Sequence, residues 1–331
     1  MSFVDFVSVV PRVADLRSYT ANARQVIRWS DEAGLDGILL FTGAGAVLDP
    51  WLAASAVLAE SRLHPLVAVN PIYMHPYAAA RMVQSLVDLY GRRIDLNLIT
   101  GTALRDMAAL GDTVAHDERY ARLGEYVDVM CGVLGSPRPY SLDGRYFRVS
   151  HLQLTPPVPA GFAPRLFLAG QSPAAMELAA RVGARSIRML PKTGTCDAGA
   201  LHVGIVARPD KEDAVKAAYA AFPPDETGRD LVEASMAQTD SVWKTRLYEA
   251  ADGYADGGMY WLAPFRSGQA DGPYLVGDYM AVADRLTELA AAGVSTFVVD
   301  TPVEEAEYLH IAEVARLVRS RLAGSGSEAR S

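Results

Sequence analysis

Short apolar runs rich in branched residues alternate with amphipathic stretches along almost the whole chain. Such alternation marks strands followed by helices, and repeated βα units build a parallel sheet buried on both faces. The apolar runs predict strands over 6–10, 37–41, 66–70, 94–99, 165–169, 185–190, 201–206 and 296–300. Stretches of helical period predict helices over about 20–33, 77–90, 117–134, 173–182, 210–221, 229–251, 279–292 and 304–322. A further helix starts at Asp49-Pro50, where an acidic cap and a proline stand as helix N-termini prefer. The segment 146–154 reads as a short extra hairpin or loop.

Eight strands with mostly single helices between them predict a (β/α)8 TIM barrel, a fold of typically ~250 residues before insertions. The chain has 331 residues. The expected organisation is therefore one barrel domain over 1–322, with insertions at about 101–160 and 222–277, and a disordered tail at 323–331. A Gly-rich, aromatic stretch at 252–277 reads as a lid before the last βα unit. An open doubly wound sheet fits the alternation equally, but no Gly-x-Gly-x-x-Gly follows the first strand. One spacing strains the barrel. Only 191–200 separates strands six and seven, whereas a parallel crossover usually takes about a dozen residues and a helix. Either the sixth helix is missing or a strand boundary there is misplaced.

Composition narrows the class. Half of the residues are hydrophobic, enough for a large core, and a net charge of -8 argues against nucleic acid. No apolar run approaches the roughly 18 residues of a membrane helix, and Met1-Ser2-Phe3-Val4-Asp5 lacks the basic start of a signal peptide. Cys131 in a predicted helix and Cys196 in a loop suggest a reducing cytosol rather than a disulfide framework. A cytoplasmic protein with no metal site is expected.

In a barrel the pocket lies at the C-terminal rim, so polar residues that end strands are the ones to weigh. Thr100 ends strand four, and Gly170-Gln171-Ser172 closes strand five just ahead of the helix at Pro173. Free N–H groups and the positive end of that helix suit a phosphate. His116 and Tyr120 are four apart and share one face if the helix begins at or before His116. Each has a local alternative: Thr100 capping a turn, Ser172 an ordinary helix cap, Asp117 a cap with His116 outside the helix.

Taken in order, Leu96-Asn97-Leu98-Ile99-Thr100-Gly101, then His116-Asp117-Glu118-Arg119-Tyr120, then Ala169-Gly170-Gln171-Ser172-Pro173-Ala174-Ala175 resembles the bacterial luciferase-like flavin-dependent monooxygenases. The likeness is nearest to their alkanesulfonate monooxygenase branch. Ala78-Ala79-Ala80-Arg81-Met82 ahead of Gly91-Arg92-Arg93, and Leu275-Val276-Gly277-Asp278 before the last helix, extend it over most of Gly34 to Leu317. The resemblance implies a (β/α)8 barrel that uses reduced FMN, supplied by a separate NAD(P)H-dependent flavin reductase, and dioxygen to oxygenate a small organic substrate. It also implies a homo-oligomer, a dimer or tetramer. Thr100, His116, Tyr120 and Ser172 would contact the flavin, with Gly170 and Gln171 at its phosphate. His202 matches a histidine near the reaction centre and Arg266 an arginine of the lid, which makes them the catalytic candidates. His202, near the start of strand seven, is expected far from the rim.

Departures from the sulfonate branch matter. Its arginine two residues before the histidine is Ala200 here, its pocket cysteine falls near Ala46, and its tyrosine after the last strand falls near Pro302. A sulfonate needs the bidentate donors that arginine supplies, so the substrate is expected not to be an alkanesulfonate. Trp51, Tyr73, Tyr260, Trp261 and Phe265 suggest a more neutral organic molecule. The expected function is thus a two-component FMN-dependent monooxygenase. Its alternatives are a deazaflavin-dependent hydride-transfer enzyme, a non-catalytic luciferase-like partner subunit, and an unrelated barrel lyase or isomerase using Asp300 or Lys192.

Overall fold

A computed structural model describes residues 4–11, 17–43, 46–101, 104–236, 241–250, 252–254, 257–300, 302 and 304–328. The first three βα units follow the sequence pattern closely: β1 (Asp5–Val9), α1 (Tyr19–Glu32), β2 (Gly37–Leu40), α2 (Pro50–Glu60), β3 (His64–Val69) and α3 (Pro76–Tyr90). Asp49 caps α2 as its position suggested, its carboxylate accepting from the N–H groups of Trp51 at 2.9 Å and Leu52 at 3.2 Å. Strand β4 (Asp95–Leu98) leads through the short α4 (Leu104–Ala109) to the long α5 (His116–Leu134). The expected extra hairpin is β5 (Tyr140–Asp143) and β6 (Arg148–Leu152). Glu125 of α5 holds its turn by accepting from the N–H groups of Arg145, Tyr146 and Phe147.

The chain continues through β7 (Leu166–Ala169), α6 (Pro173–Val182), β8 (Arg185–Met189) and β9 (Ala200–Arg208). Helices α7 (Lys211–Ala221), α8 (Glu226–Met236) and α9 (Val242–Glu249) follow, then β10 (Tyr260–Trp261), α10 (Ala263–Arg266) and β11 (Tyr274–Asp278). The last unit is α11 (Tyr279–Ala291), β12 (Thr296–Val299) and α12 (Glu305–Glu328). Strands β1, β2, β3, β4, β7, β8, β9 and β12 pair in parallel, and the β8–β9 and β9–β12 pairings close the ring. The fold is the (β/α)8 barrel.

Along each strand alternate residues face opposite ways. Val7, Leu66, Phe167, Ile187 and Ala200 form the packed interior of the barrel. Phe6, Ile38, Val67, Leu96, Leu168, Leu201 and Phe297 face outward into the layer shared with the helices.

One open alternative is decided and three expectations change. The sixth helix is missing, as one of the two readings of that spacing had it, and 190–199 joins β8 to β9 without one. Register explains why: Ala200 is level with Ile187, so the chain descends only two residues, about 7 Å, before entering β9. The helix expected over 229–251 is two, α8 and α9, with 237–240 outside the described residues. The Gly-rich stretch expected as a lid is partly built into the sheet: β10 pairs with β11, and β11 pairs in parallel with the outer half of β9. Finally, α12 runs to Glu328, through part of the stretch expected as a tail, while 329–331 lie outside the described residues. Among the described residues no helix is long and apolar enough to cross a membrane.

Candidate active site

Polar strand ends on one arc of the barrel meet above its mouth. Thr42 and Gly43 after β2, Asn70 after β3, Thr100 and Gly101 after β4, and Ala169 to Ser172 at the end of β7 border a cavity of about 300 Å³. The first turns of α5 and α9 complete its wall with His116, Tyr120, Ser241, Val242 and Trp243. Thr100, His116, Tyr120, Gly170, Gln171 and Ser172, expected at the cofactor from three separate segments, all lie on this wall.

Two glycines let the segments close on one another. Gly101 has φ +82°, and a Cβ there would sit 3.3 Å from Asn70 Nδ2 and 3.2 Å from Met107 Sδ. Its carbonyl accepts from Arg119 Nη1 at 2.9 Å, which ties the end of β4 to α5 through a guanidinium only 1% exposed. At Gly170 a Cβ would lie 2.7 Å from the Tyr120 hydroxyl oxygen and 2.8 Å from the Ala175 methyl. The tyrosine hydroxyl therefore reaches the end of β7 only because residue 170 has no side chain.

Ser172 caps α6, its oxygen accepting from the Ala175 N–H at 3.2 Å. That role leaves the hydroxyl proton for a ligand oxygen. His116 is the first residue of α5, so it does share a face with Tyr120; their rings meet edge-on, 5.3 Å apart. His116 Nδ1 lies 2.7 Å from the Asp117 carboxylate. Neither Ala115 nor Ser241, the residues before α5 and α9, caps its helix with a side-chain hydrogen bond. Three helix N-termini, those of α5, α6 and α9, thus face one cavity, and first-turn N–H groups with the helix dipole suit an anion there. Asp106 adds one carboxylate to the wall. Burial and then Asp106 push the Tyr73 phenol up, so it keeps its proton.

Asp112, in the approach to α5, grips Arg122 with two hydrogen bonds of 2.9 and 2.7 Å. Those bonds, ahead of all other influences, hold its carboxyl below the usual range. A depressed carboxyl stabilises the fold above its unfolded pKa and loses that contribution as pH falls through the folded one. Asp112→Asn is therefore expected to lower stability at neutral pH and to flatten the decline below about pH 4, where ordinary aspartates titrate. Urea midpoints for both proteins across that range check this.

The two catalytic candidates lie elsewhere. Arg266 ends α10, and its guanidinium donates to the Ala250 carbonyl, away from the described cavity wall. His202 is not low in the barrel, as its sequence position suggested. Because β9 enters late, His202 is level with Met189, the last residue of β8, and with Val298. Of the aromatics expected at a substrate, Trp51, Tyr260, Trp261 and Phe265 are buried in core clusters, and only Tyr73 borders the cavity. Sequence reasoning missed Asn70, Arg119 and Trp243. Asn70 ends an apolar strand, the signal used for Thr100, whereas Trp243 sits inside what reads as one continuous helix.

A family profile described as luciferase-like monooxygenase matches residues 1–190. The 4-(γ-L-glutamylamino)butanoyl-[BtrI acyl-carrier protein] monooxygenase BtrO of Niallia circulans is 30% identical over 315 residues, 90% of this chain and 91% of the relative. Among solved structures, the long-chain alkane monooxygenase LadA superposes with a TM-score of 0.70 at 16% identity, covering 97% of this chain and 92% of that one. The oxygenating constituent of 3,6-diketocamphane monooxygenase from Pseudomonas putida, solved with FMN, gives 0.66 at 16% identity over 95% and 97%. At such identities these structures speak to the fold.

Proposed function

This chain belongs to the luciferase-like monooxygenase family, and on that premise we propose that it is the oxygenating component of a two-component system working with reduced FMN. The observation that carries the reading is the convergence of Thr100, His116, Tyr120, Gly170, Gln171 and Ser172 on one cavity beneath three helix N-termini. The donors fit the group. Ser172, Tyr120 and the first-turn N–H groups of α5 and α6 would hold a phosphate, and Thr100 with Asn70 would face the ring. Bound reduced flavin supplies the activation of dioxygen. The protein's part is to orient it, to keep water out, and to present substrate from the barrel mouth.

A separate NAD(P)H-dependent reductase would supply the reduced cofactor, as membership of this family suggests. The substrate side is argued from the relative, whose name specifies an acyl group on a carrier protein. Acyl-carrier thioesters therefore head the substrate panel. Alkanesulfonates stand last, because the position two before His202 is Ala200, an apolar side chain buried with Ile187 and Phe167 where the sulfonate branch has an arginine.

The test is anaerobic titration with reduced FMN, in parallel with a reduced deazaflavin, followed by 18O2 incorporation into the thioester panel. Saturable binding of reduced FMN and one labelled oxygen per product are expected. No measurable affinity for reduced FMN, or preference for the deazaflavin, would overturn the reading. Trp243 provides an internal reporter. Its indole is half-buried on the cavity wall, whereas Trp51 and Trp261 are buried in the core. Trp243→Leu should abolish most of the tryptophan quenching caused by flavin and weaken binding about 2- to 10-fold, the range of a lost aromatic contact of ~0.5–1.5 kcal/mol.

A further inference from the structure

A second group of polar side chains meets at the barrel mouth, outside the cavity wall. On β9, Ala200 faces the barrel interior, so His202, two residues on, faces the same way at the rim. Asp300 follows β12, its N–H donating to the Val203 carbonyl at 3.0 Å. The Asp300 side chain is 7% exposed. One oxygen, Oδ2, accepts from the Tyr274 hydroxyl and from the Asp271 N–H, each at 3.2 Å. The other, Oδ1, lies 4.0 Å from His202 Nε2.

The surroundings are shaped to hold this group. Tyr274 begins β11 opposite Gly204, where a Cβ would come within 2.3 Å of the tyrosine ring. Only glycine at 204 lets the ring lie across β9 and aim its hydroxyl at Asp300. Gly272 then covers the imidazole: a Cβ there would stand 3.9 Å from His202 Cγ, 4.0 Å from Nδ1 and 3.2 Å from Met189 Sδ. A buried carboxylate is costly unless paired and hydrogen-bonded. Here Oδ2 is satisfied by a hydroxyl and a backbone N–H, and Oδ1 faces the imidazole from 4.0 Å, too far for a hydrogen bond but near enough for the carboxylate charge to act on the ring.

We infer that Asp300 is a positioning residue for His202, itself held by Tyr274 and the backbone of Asp271, and that this dyad is the acid–base arm of the active site. The Asp300 charge acts on the ring from 4.0 Å and stabilises its imidazolium. The imidazole takes a proton from the reacting group to become imidazolium and returns it in the reverse step; no electron pair leaves the protein. The inference rests on the proposed oxygenation at this mouth, and it places proton handling on the β9–β12 arc, away from the cavity beside β3, β4 and β7. Among the described residues, Asp300 after β12 faces His202, and Tyr274 from β11 and the Asp271 N–H from the turn before it bind Asp300.

The experiment is an NMR titration of the histidine ring protons in the flavin-free protein, with His202→Gln identifying the resonance among six histidines. Asp300→Asn should lower the His202 midpoint by about 1 unit or more, the effect of removing a carboxylate at this range. Tyr274→Phe leaves the carboxylate charge less neutralised and should raise the midpoint by a fraction of a unit. Opposite shifts are the signature, because general loosening of the fold moves both variants the same way. A resonance unmoved by Asp300→Asn, or two shifts of the same sign, overturns the inference. Should Asp300→Asn not fold, the sign of the Tyr274→Phe shift decides alone. The measurement uses no flavin, so failure of reduced FMN to bind would leave this result standing.

Discussion

Asp95→Ala is expected to cost about 3–5 kcal/mol of stability, the penalty for stranding a buried charge. Asp95 closes the N-terminal end of the barrel, opposite the cavity. Its side chain is 4% exposed, and it accepts from Arg165 Nε at 3.0 Å, Arg165 Nη2 at 2.6 Å and the Arg165 N–H at 3.1 Å. Arg165 Nη1 also donates to Asp5 at 2.6 Å, and Arg93 Nε lies 3.4 Å from Asp95. Burial disfavours the Arg165 charge, and the hydrogen bonds and charges of Asp95 and Asp5 outweigh it, so its pKa is pushed above the ordinary value. Removing Asp95 leaves that guanidinium beside Arg93 and Arg185 with Asp5 alone.

An unfolding entropy near 2.1 cal/mol/K per residue turns the loss into a fall in Tm of roughly 4–7 °C for two-state unfolding. Calorimetry of Asp95→Ala, Arg165→Met and the double variant checks it. The double variant should lose less than the sum, because it removes both charges together. Strict additivity would mean the network contributes nothing specific. Flavin affinity should not change in any of the three, since this end of a barrel serves stability and the ligand face lies at the other.

The barrel was legible because its signal is repeated: each buried strand is a short apolar run, and period and length separate it from the helices. The residues that line the cavity were legible for a related reason. Thr100 and Gly170 to Ser172 interrupt apolar runs at their C-terminal ends, where a barrel strand meets its mouth. What the sequence hid was register and side-chain course. His202 looks low because β9 is long, and only its pairing with Met189 lifts it to the rim. Tyr274 lies in a Gly-rich stretch that reads as a loop, yet two branched or apolar neighbours, Leu275 and Val276, are enough to pair with Ile205 and Val206. Arg119 and Arg266 show the same limit from the other side. Both are arginines in candidate segments, but one is bonded to Gly101 at the cavity's edge and the other to Ala250 away from it. Spacing along the chain does not say which carbonyl a guanidinium finds.

Tyr120→Phe combined with Ser172→Gly is expected to weaken reduced FMN binding on the order of 100-fold or more. Hydrogen bonds to a charged group are each worth ~1.5–3 kcal/mol, and two of them lost together exceed the ~2.8 kcal/mol that a hundredfold change requires. Glycine is chosen at 172 because it caps a helix nearly as well as serine, whereas alanine would add about 1 kcal/mol of lost capping to the result. Phenylalanine at 120 keeps the ring against His116 and removes only the hydroxyl that abuts Gly170. Reduced riboflavin, which has the ring and ribityl chain but no phosphate, is the discriminating ligand. If Ser172 and Tyr120 hold the phosphate, the double variant binds reduced riboflavin as the unaltered protein does and loses only its preference for FMN. An equal loss for both ligands would move these side chains from the phosphate to the ring. An unchanged FMN affinity would remove the phosphate from the ends of β4 and β7 altogether, and with it the reason for three helix N-termini to meet there.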